Sequence, residues 1–139
     1  SKESIDNVII VLWNRIKQGV SINLDLQDDF LVKGNQEELS QVWTNIINNA
    51  IQASNAKCTI NIKHVSTDRI DTLIFANDGP MIPEDVLPKI FDPFFSTKKR
   101  GEGTGLGLNI VKKIIEKHKG EIFCESNALE TRFIINLPK

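Results

Sequence analysis

Two cysteines and two histidines are all this chain offers of the residues that most often build zinc sites and disulfides. Cys58 and Cys124 are far apart, each inside an apolar, strand-like stretch, and His64 and His118 do not cluster with them. That spacing fits no metal-ligand pattern. Isolated cysteines of this kind read as buried, reduced small hydrophobes, which points to a cytoplasmic setting. No apolar run approaches the roughly 20 residues of a membrane span. The net charge of −1 supplies no overall field for nucleic acid or an acidic membrane, so no nucleic-acid partner is expected and any polyanion contact must be local. There is no repeat, low-complexity tract or composition break to mark a boundary within residues 1–139. No signal-peptide pattern opens the chain, and the missing initiator Met suggests a piece of something longer.

What the chain does have is glycine at every second position through Gly101-Glu-Gly103-Thr104-Gly105-Leu106-Gly107-Leu108. Glycine reaches positive φ and lets a ligand approach bare backbone. A helical pattern follows at once, with Leu106, Ile110, Ile114 and His118 four apart and Val111 and Ile115 beside them, and Thr104 stands where an N-cap would. A glycine-rich loop feeding a helix N-terminus makes a phosphate site. The competing reading is a flexible linker before a helix.

The remaining pattern predicts an α+β domain. Ile5 to Lys17 carries a helical stripe; Val20 to Leu26 alternates like a half-buried strand; Leu31-Val32 could pair with it. Asn35, with Glu38 three residues on, forms a capping box for a helix to about Ser54, with Leu39, Val42, Trp43, Ile46, Ile47 and Ala50 inward. Strands follow over Thr59–Val65 and Ile70–Ala76, then a turn at Asn77-Asp78-Gly79-Pro80 and a short helix from Pro83 toward Ile90. The glycine-run helix ends at Gly120, and Glu121–Ser126 and Arg132–Leu137 close the sheet. The expected architecture is one mixed, mostly antiparallel sheet with helices on one face.

Three further clusters carry chemistry. Asn45, Asn49 and Gln52 fall within roughly 60° on a helical wheel. Asn is a poor helix former, so amides in a helix interior suggest a task beyond solvation. An amide oxygen is a neutral hard ligand suited to Mg²⁺ with phosphate. Asn77-Asp78-Gly79 at a strand end can read a base edge or be a plain turn. Phe91-Asp-Pro-Phe94-Phe95 could pin the base of a mobile segment, and Lys98, Lys99 and Arg100 place positive charge beside the glycine run.

In order and spacing the four clusters resemble the ATP-binding catalytic domain of bacterial sensor histidine kinases, in the superfamily of DNA gyrase, MutL and the ninety-kilodalton heat-shock chaperone. The matching boxes are Asn45-Ile-Ile-Asn-Asn49-Ala, Asn77-Asp-Gly79-Pro-Met81, Phe91-Asp-Pro-Phe94-Phe95 and Gly103-Thr-Gly105-Leu-Gly107-Leu. Thr131-Arg-Phe133 with Leu137-Pro138 resembles the closing strand. The resemblance implies a two-layer α/β sandwich of the Bergerat type, with ATP and Mg²⁺ under a lid over about residues 92–104. It gives Asn49 the metal, places Asn45 near the phosphates, Asn77 at the adenine amino group and Thr131 near the base, and closes Lys98 and the Gly103–Leu108 backbone on the phosphates. Gly79, Ile82 and Phe95 complete the pocket.

Departures from the pattern are specific. Asn77 replaces the usual aspartate, removing a charge-assisted contact while keeping a carbonyl that can accept. Met81 stands for a glycine and narrows the pocket. Gln52 and Ala53 stand where a basic residue and an aromatic are common. These variants resemble a nitrogen-regulator-like subgroup. Asn45 stands where gyrase-type relatives carry a glutamate, and an amide cannot act as general base; Glu37 and Glu38 are two turns away along the helix. The implied activity is therefore transfer of the γ-phosphate to a histidine rather than hydrolysis. Neither His64 nor His118 has the setting of that acceptor, and both are assigned capping or surface roles. The acceptor is expected on a separate dimerisation domain, through which a response regulator would be engaged. The fragment would be a monomer, and its cytoplasmic parent, soluble or membrane-anchored, a homodimer. A serine kinase of the anti-sigma-factor type, or a nucleotide-binding interaction module without transfer, are the alternatives.

Overall fold

A computed structural model describes residues 19–26, 34–53, 58–92 and 107–139. The expectations for Ile5–Lys17, Leu31-Val32 and most of the lid lie outside these. Five strands form one sheet: β1 (Val20–Asp25), β2 (Cys58–Ser66), β3 (Ile70–Asn77), β4 (Glu121–Ser126) and β5 (Thr131–Pro138). Their spatial order is β1-β2-β3-β5-β4. The β1–β2 pair is parallel and the other three pairings are antiparallel. Two helices, α1 (Gln36–Ala53) and α2 (Gly107–Lys117), cover one face. A parallel pair needs a long crossover, which α1 supplies between β1 and β2.

Alternation decides which face is covered. Ile60 and Ile62, Leu73 and Phe75, and Phe133, Ile135 and Leu137 point to the helices and are buried. Their neighbours Asn61, Lys63, Thr72 and Arg132 point the other way and are wetter. On α1 the buried set is Leu39, Val42, Trp43, Ile46, Ile47, Ala50 and Ile51, the stripe that the sequence predicts. Trp43 stacks on Phe75 with ring centroids 5.6 Å apart. Cys58 Sγ lies 3.9 Å from the Ala50 carbonyl. These contacts put the C-terminal half of α1 at the end of the sheet where β2 starts and β3 finishes.

Local chemistry departs from the sequence reading in four places. The Asn35 capping box is half-formed: Asn35 Oδ1 accepts the Glu38 N–H at 3.0 Å, but the Asn35 N–H goes to His118 Nε2 at 3.0 Å. Glu38 binds Lys117 Nζ instead, at 2.9 and 3.1 Å. No α-helix forms after Pro83. Pro88 has no N–H to continue the ladder, and the segment tightens to a 3-10 turn over Leu87–Lys89. The left-handed residue ending α2 is Lys119 (φ 61°), not Gly120. Gly120 N–H bonds the Ile115 carbonyl and Lys119 N–H that of Glu116, a Schellman closure. Gly120 is glycine because a Cβ there would run into the Asn136 carbonyl and Leu137.

The fourth is His64, expected in a capping or surface role, whereas His118 does cap. His64 is an interior residue, its side chain 4% exposed and its Nε2 2.8 Å from Asp71 Oδ1. His118 bridges the two helices, with Nδ1 donating to the Ile114 carbonyl at 2.8 Å while Nε2 accepts from Asn35. The proton sits on Nδ1 and the ring is neutral in this arrangement.

Candidate nucleotide site

The end of the sheet opposite His118 collects the sequence-selected amides. Trp43 and Phe75 fix α1 against β3, and both elements advance from that stack toward the same end. Asn45 and Asn49 follow Trp43 on α1, and Asn77 is the last residue of β3. Asn45, Asn49 and Gln52 are half-buried, and Ala53 is exposed. Asn45 Nδ2 donates to the Gly107 carbonyl at 3.1 Å, joining the amide helix directly to the first residue of α2. Among the described residues Asn49 meets no hydrogen-bonding partner.

Asn77 and Thr131 are register partners across β3 and β5, 7% and 3% exposed. Asn77 Oδ1 accepts the Gly79 N–H at 3.0 Å, closing an Asx turn. Asp78 does not replace the missing aspartate. Its Oδ1 accepts the Thr59 N–H at 2.7 Å and its own N–H returns to the Thr59 carbonyl, so it pins the turn to β2. Met81 is 47% exposed at the rim. Ile82 packs against the core and donates its N–H to Ser126 Oγ at 2.8 Å. Ser126 Oγ lies 2.7 Å from Thr131 Oγ1.

Phe91, at the start of the lid segment, meets Phe133 edge-on at 6.4 Å, with Lys112 Nζ 5.9 Å from its ring centroid. The segment is thus anchored to β5 and α2 at its N-terminal base. Gly107 and Leu108 open α2, and Leu108 packs on the core. Among the described residues, a Cβ at Gly107 would meet nothing within 4 Å. Phe95, Lys98, Gly103, Thr104, Gly105 and Leu106 lie outside the described residues.

The described wall is therefore mostly uncharged, made of amides, two hydroxyls, main chain and apolar side chains, with the Asp78 carboxylate tied into the turn and Lys112 over Phe91. Asn49 and Asn77, with spare hydrogen-bonding capacity among the described residues, and the glycine that opens α2 suit a magnesium-bound triphosphate and a purine edge. Glu38, tied to Lys117 at the far end of α1, cannot serve the site as a base. Sequence reasoning missed Ser126 and the buried Asn109. Ser126 follows Ile122 and Cys124 on the inward parity of β4, where an apolar residue is the norm, and that parity was its signal.

Residues 34–139 match the family described as histidine kinase-, DNA gyrase B-, and HSP90-like ATPase. The chain is 36% identical over 115 residues to the sensor histidine kinase CusS of Escherichia coli K12, covering 80% of this chain and 24% of CusS. It spans about a quarter or less of the length of the curated relatives it matches. The catalytic domain of histidine kinase ThkA superposes with a TM-score of 0.88 at 33% identity, over 99% of this chain and 93% of that one. A ThkA structure in complex with the response regulator TrrA superposes at 0.82 and 30% identity, over 99% of this chain and 40% of that one. With the family matched over most of its length and a solved catalytic domain matched nearly end to end, this chain belongs to the histidine kinase-, gyrase B- and HSP90-like ATPases, as a sensor histidine kinase catalytic domain.

Proposed function

We propose that residues 1–139 form a catalytic unit that holds Mg·ATP and donates the γ-phosphate to a histidine on a separate dimerisation domain. The observation that carries this is the meeting of two polar sets at one end of the sandwich, Asn45 with Gly107 and Asn77 with Thr131. On this reading Asn49, the amide without a protein partner among the described residues, binds Mg²⁺. The ion neutralises charge on the phosphate oxygens. Asn45 holds the exit of the glycine run against α1 and so sets where the lid backbone meets the phosphates. Lys98 and the Gly103–Leu108 main chain close over them, with Phe95 at the lid base and Gln52 and Ala53 along α1. Asn77, Gly79, Met81, Ile82 and Thr131 surround the base.

Asn45 offers no base, and the Asp78 carboxylate is engaged by the Thr59 N–H in the turn, which supports transfer over hydrolysis. Transfer needs chiefly alignment and charge neutralisation, so amides and main chain under a basic lid are adequate. The acceptor is expected on the parent's homodimeric helical domain, with a response regulator receiving the phosphoryl group there. The parent's catalytic unit works on the cytoplasmic side. Among the described residues no helix is long and apolar enough to cross a membrane.

The test mixes the chain with the parent's dimerisation domain and γ-labelled Mg·ATP. Acid-labile, base-stable label on that domain is the expected result. Acid-stable label would point to serine transfer, and nucleotide binding without label to an interaction module; either outcome refutes histidine transfer.

A further inference from the structure

Ser126 has no place in the roles assigned above, yet its hydroxyl joins two walls of the pocket. Its Oγ accepts the Ile82 N–H at 2.8 Å and lies 2.7 Å from Thr131 Oγ1. Ser126 pairs with Thr131 across β4 and β5, and Thr131 with Asn77 across β5 and β3. The three residues stand in a row at the site end, on the parity of the sheet that faces the helices.

A hydroxyl has one proton to give. The Ile82 N–H already occupies a lone pair on Ser126 Oγ, so Ser126 is an acceptor in that contact. Either hydroxyl can donate across the 2.7 Å contact, and among the described residues Thr131 Oγ1 is the acceptor within reach of the Ser126 proton. With Ser126 donating to it, Thr131 keeps its own proton for another partner. At 3% exposure beside Asn77, that partner must come from the pocket rather than from bulk water.

Asn77 alone does not choose a purine. Its Oδ1 accepts the Gly79 N–H and retains a second lone pair, while Nδ2 carries two protons. An aspartate offers acceptors only. An amide can accept from the amino group of adenine or donate to the carbonyl of guanine. The adjacent position on the ring differs as well: adenine presents a bare N1, guanine an N1–H.

We propose that Ser126 is a positioning residue for base selectivity: by donating to Thr131 it makes Thr131 a donor toward the base, which adenine N1 satisfies and guanine N1–H opposes. This rests on the nucleotide reading, with the base beside Asn77 and Thr131. Ser126 acts through Thr131 and not by contact.

The experiment measures ATP and GTP dissociation constants by calorimetric titration with Mg²⁺. The unmodified chain should prefer ATP. Ser126→Ala should lower the ATP-over-GTP preference about tenfold, because Thr131 is then free to turn and accept. Ser126→Thr keeps the hydroxyl and should keep the preference. Thr131→Val removes the donor without touching the Ile82 contact and should lower the preference similarly, which covers the case in which Ser126→Ala does not fold. In an Asn77→Asp background, acceptor-only at the amino group, Ser126→Ala should change the preference by less than about threefold. Equal weakening of both nucleotides in Ser126→Ala and Thr131→Val would make Ser126 a structural peg and overturn the proposal. A chain that binds ATP with no preference over GTP overturns it too. If neither nucleotide binds, the nucleotide reading itself falls, and this inference with it.

Discussion

Where α1 begins and α2 ends, polar groups are matched to one another: His118 uses both ring nitrogens, Glu38 pairs with Lys117, and the Gly120 and Lys119 N–H groups close the last turn of α2. At the opposite end the same two helices meet through one amide, Asn45 to Gly107. There, among the described residues, Asn49 has no partner, Asn77 has a spare lone pair and two spare protons, and a Cβ at Gly107 would meet nothing within 4 Å. A polar group bonded within the protein contributes to the fold, whereas one left with capacity at a half-buried position is set for a ligand. The contrast predicts that substitutions at the closed end change stability, and those at the open end change nucleotide affinity.

The largest effect should come from Asn49→Ala. Magnesium-dependent ATP binding should weaken by more than about a hundredfold, with Tm within about 2 °C of the unmodified chain. Calorimetric titration and thermal unfolding of the same sample check both halves. A fall in Tm with affinity intact would place Asn49 among the structural amides and erase the distinction between the ends.

Trp43 belongs to neither end; it sets their separation. Its ring is fully buried against Phe75, while its indole N–H has no partner among the described residues. Trp43→Ala should cost about 3–5 kcal/mol of unfolding free energy in denaturant titration. Trp43→Phe should cost far less, because the smaller ring gives up packing but removes a sealed donor. If the two variants are equally damaged, the indole N–H has a partner that this account lacks.

Much of this was legible along the chain. The strands and α1 were readable because alternation and 3.6-residue periodicity report burial directly, and Asn45 and Asn49 stood out as amides in a helix interior, whereas Asn77 read equally as a plain turn. The failures share a cause. His118 and Asn35 are 83 residues apart, and no local pattern says that a ring nitrogen will replace the Glu38 arm of a capping box. Ser126 gains its meaning only when β4, β5 and the Ile82 loop are side by side. His64 looks like a surface residue until antiparallel pairing brings Asp71 against it. The helix expected from Pro83 failed locally, since Pro88 was in view and its missing N–H outweighed the start signal.

Closed-end variants sharpen the contrast at smaller scale. His118→Ala leaves the Asn35 N–H without its ring partner, while the Ile114 carbonyl keeps the residue-118 main-chain N–H, and should lower stability by roughly 1–2 kcal/mol, with ATP affinity within about twofold. Lys117→Met removes an ion pair whose lysine is 68% exposed and should cost less than about 1 kcal/mol, less again at high salt. Chemical denaturation of the two variants beside Asn49→Ala gives the test. A Lys117 effect larger than that of His118 would mean that charge, rather than directed hydrogen bonding, holds the closed end.

The smallest effect at neutral pH concerns Cys124, which sits on the inward face of β4 two residues before Ser126. Burial, and secondarily the charge of Glu125, pushes its thiol up to about 12. An unfolded cysteine ionises near 8.5. At pH 7 both states hold the proton, and the thiol contributes nothing to pH dependence. Above about pH 8.5 the unfolded chain loses its proton while the folded chain keeps it, so this contribution to stability is lost progressively as pH rises toward 12. The thiolate is the nucleophile, so alkylation at pH 8 should run on the order of a hundredfold or more below the rate for a free cysteine. Mass spectrometry of iodoacetamide-treated native protein, with urea-unfolded protein as reference, measures this. Labelling at the unfolded rate would reveal an open seam along β4 beside Ser126, and the ready contact with solvent would extend from the amide wall into the strand that supports it.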